Sequence, residues 1–133
     1  MIFQLVYQST ATHYLTPGEL LEILEKSRDN NAHLQLSGML LYHDRRFLQL
    51  LEGDEAVVRE RYAIIERDER HKWVSLVLTG PNAGRDFPDW TMGFRDLGDH
   101  RPPAQGWNSF LDASDPGTSS SYVRNIFLAF RDG

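Results

Sequence analysis

Up to Thr79 the chain alternates short apolar runs with two helix-period segments, and that order narrows the architecture more than any single residue does. Residues 2–8 read as a strand with Phe3, Leu5 and Tyr7 on one face and Ile2 and Val6 on the other, which predicts a central strand covered on both sides. Thr16-Pro17-Gly18-Glu19 then supplies a Thr N-cap, Pro at the first helical position and Glu at N3. The helix runs to about Asn31, with a stripe through Leu20, Leu24, Ser27 and Asn31 and a second edge at Ile23. Residues 35–43 and 46–52 predict a hairpin turned at Asp44-Arg45. Gly53 breaks the strand, and Asp54 caps a second helix to about Asp68 that carries Val57, Val58, Tyr62, Ile64 and Ile65. A fourth strand is expected at about 73–79. A loop with Gly80-Pro81, Gly84 and Pro88 leads to a short fifth, where Trp90, Met92 and Phe94 alternate onto one face.

A β-α-β-β-α-β-β order of this length predicts an α+β, ferredoxin-like sandwich: a five-stranded mixed sheet with two helices on one face. Residues 1–97 form the expected domain, and 98–133 a C-terminal helical extension. In the extension, Pro102-Pro103 opens a short helix through Trp107, Phe110 and Leu111, and residues 114–121 form a polar linker. A last amphipathic helix carries Tyr122, Val123, Ile126, Phe127 and Phe130. An open sheet face needs a cover, and this extension is the expected one.

Several function classes fall away on composition. The net charge of −5, with no Lys/Arg run to offset it, argues against a nucleic-acid partner. Without cysteine there is no disulfide, thiol nucleophile or Cys-held zinc. His13, His33, His43, His71 and His100 lack paired-ligand spacing, so no metal site is expected and each reads as a solvated loop or strand-end residue. The first residues carry no basic segment or small-residue cleavage site, and no apolar stretch approaches the roughly 18 residues of a membrane span. A cytoplasmic address and no membrane contact are the expectation.

The informative residues are polar side chains that the patterns turn inward. Tyr7 shares the face of Phe3 and Leu5, Gln49 that of Phe47 and Leu51, and Asn31 ends the first helix's apolar stripe with Asn30 beside it. Taken singly, a strand-end Tyr keeps its hydroxyl in water and an Asn near a helix end caps it. Gln49 resists that reading, because both faces of its strand are apolar. An unpartnered buried amide costs roughly 1–3 kcal/mol. In the sandwich the first and third strands are neighbours, so Tyr7 and Gln49 meet beneath the groove between the helices, with Asn31 and Asp68 approaching from the helix ends. Apolar walls with a few convergent polar groups make a small-molecule site.

The strings Leu5-Val6-Tyr7-Gln8-Ser9, Ser27-Arg28-Asp29-Asn30-Asn31, Ser37-Gly38-Met39-Leu40-Leu41-Tyr42, Phe47-Leu48-Gln49-Leu50-Leu51-Glu52-Gly53 and Phe87-Pro88-Asp89-Trp90-Thr91-Met92-Gly93-Phe94 resemble, in order and spacing, the BLUF family of flavin-binding blue-light sensors. The resemblance covers roughly residues 1–97. It implies a flavin, commonly FAD with FMN and riboflavin as alternatives, lying between the helices. Tyr7 then matches the photoactive tyrosine, Gln49 the switching glutamine, Asn31 the asparagine on the flavin carbonyl and Asn30 its polar neighbour. Ile23 and Ile65 match the residues that sandwich the ring, Ser27 lies on the same helix face, and Asp68 matches the acidic position at the pyrimidine edge. Trp90 and Met92 match the fifth-strand pair that moves near Gln49. Ile64 departs from the pattern, standing where some members carry a basic contact, and Arg67 is the expected substitute. The resemblance implies a non-enzymatic photosensor that signals to a separate effector protein, with homo-oligomers expected. An acyl-phosphatase-like or flavin-dependent small enzyme on the same fold is the alternative; neither a Gly-rich phosphate cradle nor a nicotinamide site supports it.

Overall fold

The computed structural model describes residues 2–69, 71–87, 92–96, 126 and 130. Its elements follow the order β1 (Ile2–Ala11), α1 (Pro17–Leu34), β2 (Ser37–His43), β3 (Arg46–Gly53), α2 (Glu55–Glu66), β4 (His71–Asn82) and β5 (Gly93–Asp96). The sheet runs β4-β1-β3-β2-β5. Its first four strands pair antiparallel, and β5 joins parallel to β2. This is the expected mixed ferredoxin-like sheet.

Local chemistry explains the element ends. The Thr16 side chain accepts from the Glu19 amide while the Glu19 carboxylate accepts from the Thr16 amide, the reciprocal box expected at the start of α1. Asp54 caps α2 by accepting from the Val57 amide. Asp44 and Arg45 both take positive φ, 50° and 68°, so a two-residue turn joins β2 to β3 without glycine and matches the strands' twist. α1 ends later than expected, at Leu34, where Gln35 turns left-handed, and β2 starts only at Ser37. β4 is much longer than the expected 73–79. Its ladder with β1 shifts register between Val6 and Tyr7 and again between Gln8 and Thr10, so strict alternation does not mark its length.

The sheet separates two cores. On the helix side Phe3, Leu5, Tyr7, Leu40, Phe47, Leu51 and Met92 pack with Leu20, Leu24 and Val58 from the helices. On the far side Val6, Met39, Leu41, Leu48 and Leu50 pack with Phe87 and Phe130, and Ile126 lies against them. Residues 126 and 130 are helical and both lie on the helix-free face, where the Arg46 guanidinium sits over the Phe130 ring. The proposed boundary at 97/98 and the expected helix through Trp107 fall outside the described residues. Among those residues no helix is long and apolar enough to cross a membrane.

A buried polar clasp fixes the loop after β4. Glu52, at 0% exposure, accepts from Gln4 Nε2, Ser37 Oγ and the backbone amides of Asp86 and Phe87 at 2.7–3.1 Å. Arg85 adds bonds to Ser37 Oγ, the Glu52 carbonyl and the Gln35 carbonyl. Asp86 accepts from Gln4 at 2.8 Å, but its Oδ1 is buried with no partner among the described residues. Burial, reinforced by the Glu52 charge and opposed by the Gln4 bond, pushes the Asp86 carboxyl from 3.8 up to about 6. Between those values the folded chain holds the proton more tightly than the unfolded one, so this group makes the protein lose stability as pH rises from about 4 through 6. Partial solvent access limits the loss to on the order of 1–2 kcal/mol. Asp86→Asn is expected to flatten that slope and to raise the urea midpoint at pH 8; an unchanged pH profile would contradict the assignment.

Candidate functional site

The groove between α1 and α2 opens into a slot lined by residues of both helices and of the sheet beneath them. α1 contributes Ile23, Ser27 and Asn31, residues one turn apart on one face. α2 contributes Arg61 and Ile65, and the segment beyond it Asp68 and His71. The floor is the sheet: Tyr7 from β1, Leu40 from β2, and Phe47, Gln49 and Leu51 from β3, where alternation puts all three on one face.

Tyr7 and Gln49 are direct partners across the β1–β3 ladder, and both are 4% exposed. The Gln49 Nε2 group points at Met92 Sδ, 3.5 Å away. A thioether only accepts, so the amino end must face Met92; the Oε1 end therefore faces Tyr7, and the phenol donates to it. Burial drives the Tyr7 phenol well above its ordinary acidity range; the fields of Tyr62 and Asp68 act the same way, and Arg61 opposes them. The result is a protonated phenol hydrogen-bonded to a carboxamide, itself bonded to a sulfur on the strand segment leading into β5. Arg28, next to Ser27 on α1, donates from Nε to the Met92 carbonyl at 3.0 Å and ties that segment to the helix. The Tyr7 ring rests against Tyr62, centroids 5.5 Å apart, and meets the edge of His71 at 6.4 Å.

Of the residues picked out in the sequence, Tyr7, Ile23, Ser27, Asn31, Gln49, Ile65 and Asp68 converge on the slot, and Met92 lies against Gln49 just outside the lining. Asn31 is 2% exposed, in α1's last turn. Asn30 is half-buried and lies outside the lining, and Trp90 lies outside the described residues. Arg67 caps the C-terminus of α2, exposed and away from the slot, and Ile64 is also exposed. The cation in the wall is Arg61, one turn before Ile65. Arg67, the substitute expected from the sequence, is not in the lining; the i, i+4 spacing to Ile65 is the sequence signal that marks Arg61. His71 is likewise no solvated strand end. Its Nε2 donates to the Ile65 carbonyl at 2.6 Å and its Nδ1 shares a bond with Ser9 Oγ at 2.8 Å, pinning the end of α2 to the sheet.

Opposed Ile23 and Ile65 side chains suit a flat apolar ring, and a rim of amide, hydroxyl and carboxylate groups suits a ring edge carrying both carbonyls and N–H groups. Among the described residues no cluster of His, Cys, Asp or Glu is placed to hold a metal ion. Sheet, slot and donor set together suit a domain that holds a planar heterocycle between its helices. The family model for sensors of blue light using FAD matches residues 2–93, and the chain belongs to that family, BLUF. It is 35% identical over 89 residues, 66% of the chain, to photoactivated adenylate cyclase subunit beta of Euglena longa. It spans about a tenth of the length of the curated relatives it matches. Among solved structures it resembles the BLUF protein BlrB in its dark state (TM-score 0.72, 28% identity, 96% of each chain). It also resembles Klebsiella pneumoniae BlrP1 with FMN and cyclic diGMP (TM-score 0.82, 26% identity, 99% of this chain and 35% of that one). The chain is thus a flavin-binding blue-light photoreceptor module.

Proposed function

We propose that Tyr7 and Gln49 are the photoactive pair, that the flavin is FAD, and that the module signals without catalysing a reaction of its own. The observation carrying this reading is the hydrogen-bonded run that leads from Tyr7 and Gln49 in the floor of the slot to Met92. A bound flavin supplies absorption in the blue and, once excited, strong oxidising power. Tyr7 would supply one electron and its phenolic proton to that chemistry, and the Gln49 carbonyl, which already accepts from the phenol, would be the proton's first acceptor. On recombination both return, so no atom is gained or lost. What persists is a different presentation of the Gln49 amide, since rotation or tautomerisation exchanges its donor and acceptor ends. Met92 then loses its N–H donor, and the change passes to β5 and, through Arg28, to α1. This is a two-state element biased by light.

Ile23, Ile65 and Asn31 hold the ring, with Ser27 and Asp68 at its polar edge; Asn30, Arg67 and Trp90 are assigned no contact in this proposal. Output goes to a separate effector protein or through a change in self-association, with no nucleic-acid or membrane contact and in the cytoplasm. Absorption spectra of the purified protein before and after blue illumination test the reading. A red shift that reverts in the dark is expected, and a flavin band that only bleaches or stays fixed would refute it. Flavin released on denaturation and separated chromatographically distinguishes FAD from FMN and riboflavin.

A further inference from the structure

We propose that Arg61 is a charge-compensating residue that sets the electron affinity of the ring held in the slot; this rests on the photoreceptor reading above. Arg61, Ile65 and Asp68 follow one another at i, i+4 and i+7, so α2 and the residues after it present a cation, an aliphatic wall and an anion in sequence along one side of the slot. Arg61 takes part in neither of the ion pairs His13–Glu19 and Arg59–Glu55. Its field reaches the deeply buried Tyr7, where it works against the effect of burial. His71, the other nitrogen base in the lining, is committed to the Ile65 carbonyl and Ser9.

An electron passing from the Tyr7 phenol to a ring held in the slot would place negative charge between the two helices. A guanidinium already fixed in the wall stabilises that charge without reorganising, which is the general advantage of pre-placed charge in a partly dry site. Arg keeps its charge at every accessible pH, so the effect is permanent. No further oxidant or reductant is needed, because electron and proton both return to Tyr7.

The test is dark spectroelectrochemistry on the flavin-loaded protein, which reads the ring's potential independently of any photocycle. A unit charge in the wall of a site of intermediate polarity is a large perturbation. Arg61→Gln is expected to lower the reduced-to-oxidised ratio at a fixed applied potential about tenfold, a shift of about 59 mV for a one-electron step. Arg61→Lys should restore most of it, which a merely structural contact would not require. Titration with riboflavin and FMN supplies the second arm: the two affinities should fall together or not at all in Arg61→Gln. An unchanged potential in Arg61→Gln overturns the proposal. So does a loss of affinity confined to FMN, which would make Arg61 a phosphate contact. A wild-type protein that binds no flavin overturns the photoreceptor reading itself, an outcome distinct from both.

Discussion

Replacing Gln49 by leucine is expected to abolish the light-induced red shift completely while flavin still binds. Leucine keeps the approximate volume of the position but removes both ends of the amide, so the Tyr7 phenol loses its acceptor and the Met92 sulfur its donor. The walls from Ile23 and Ile65 and the amide of Asn31 are untouched, which is why bound flavin should remain near one per chain. The buried Tyr7 hydroxyl left without a partner costs roughly 1–3 kcal/mol of stability, a small matter beside the total loss of switching. Difference spectroscopy on the illuminated variant decides it. A shift of ordinary size in Gln49→Leu would remove Gln49 from the mechanism.

The largest loss of stability is expected at Glu52, which alternation puts on the face of β3 opposite the slot. Glu52→Ala strands two backbone amides, of Asp86 and Phe87, together with Ser37 Oγ and one bond of Gln4, all inside the protein. Hydrogen bonds to a charged acceptor contribute more than neutral ones, and buried groups stripped of partners carry their full desolvation cost. A loss of about 3–5 kcal/mol is expected, comparable with breaking a buried ionic contact. Glu52→Gln, which retains one accepting oxygen, should lose roughly half of that. Urea unfolding with an unchanged m-value measures both. A loss below about 1 kcal/mol for Glu52→Ala would show that the loop holds its place by other means.

Where local chemistry and the global fold agree, the sequence could be read directly. Thr16, Pro17 and Glu19 announce α1, Asp54 announces α2, and Asp44-Arg45 turns the hairpin, because each device is local to a few residues. The meeting of Tyr7 and Gln49 was legible at one remove, since strand order decides which faces adjoin. What escaped depends on three-dimensional company. The bulges between β1 and β4 come from cross-strand fit and hide the true length of β4. Glu52 next to Gly53 looks like a solvated strand end until the loop at Asp86 and Phe87 folds back over it. Arg61 and Arg67 carry the same charge on the same helix, and only the facing of their turns separates a slot wall from an exposed cap.

Tyr7 and Gln49 stand 42 residues apart along the chain and become partners only through the zipper of β1 on β3. A slip of one rung would set Gln49 against Gln8 or Val6 and swing its amide to the other side of the sheet. Illumination is therefore a census of correctly zipped molecules: yellow colour counts every chain that has closed on a chromophore, while photoswitching counts those whose central rungs are in order.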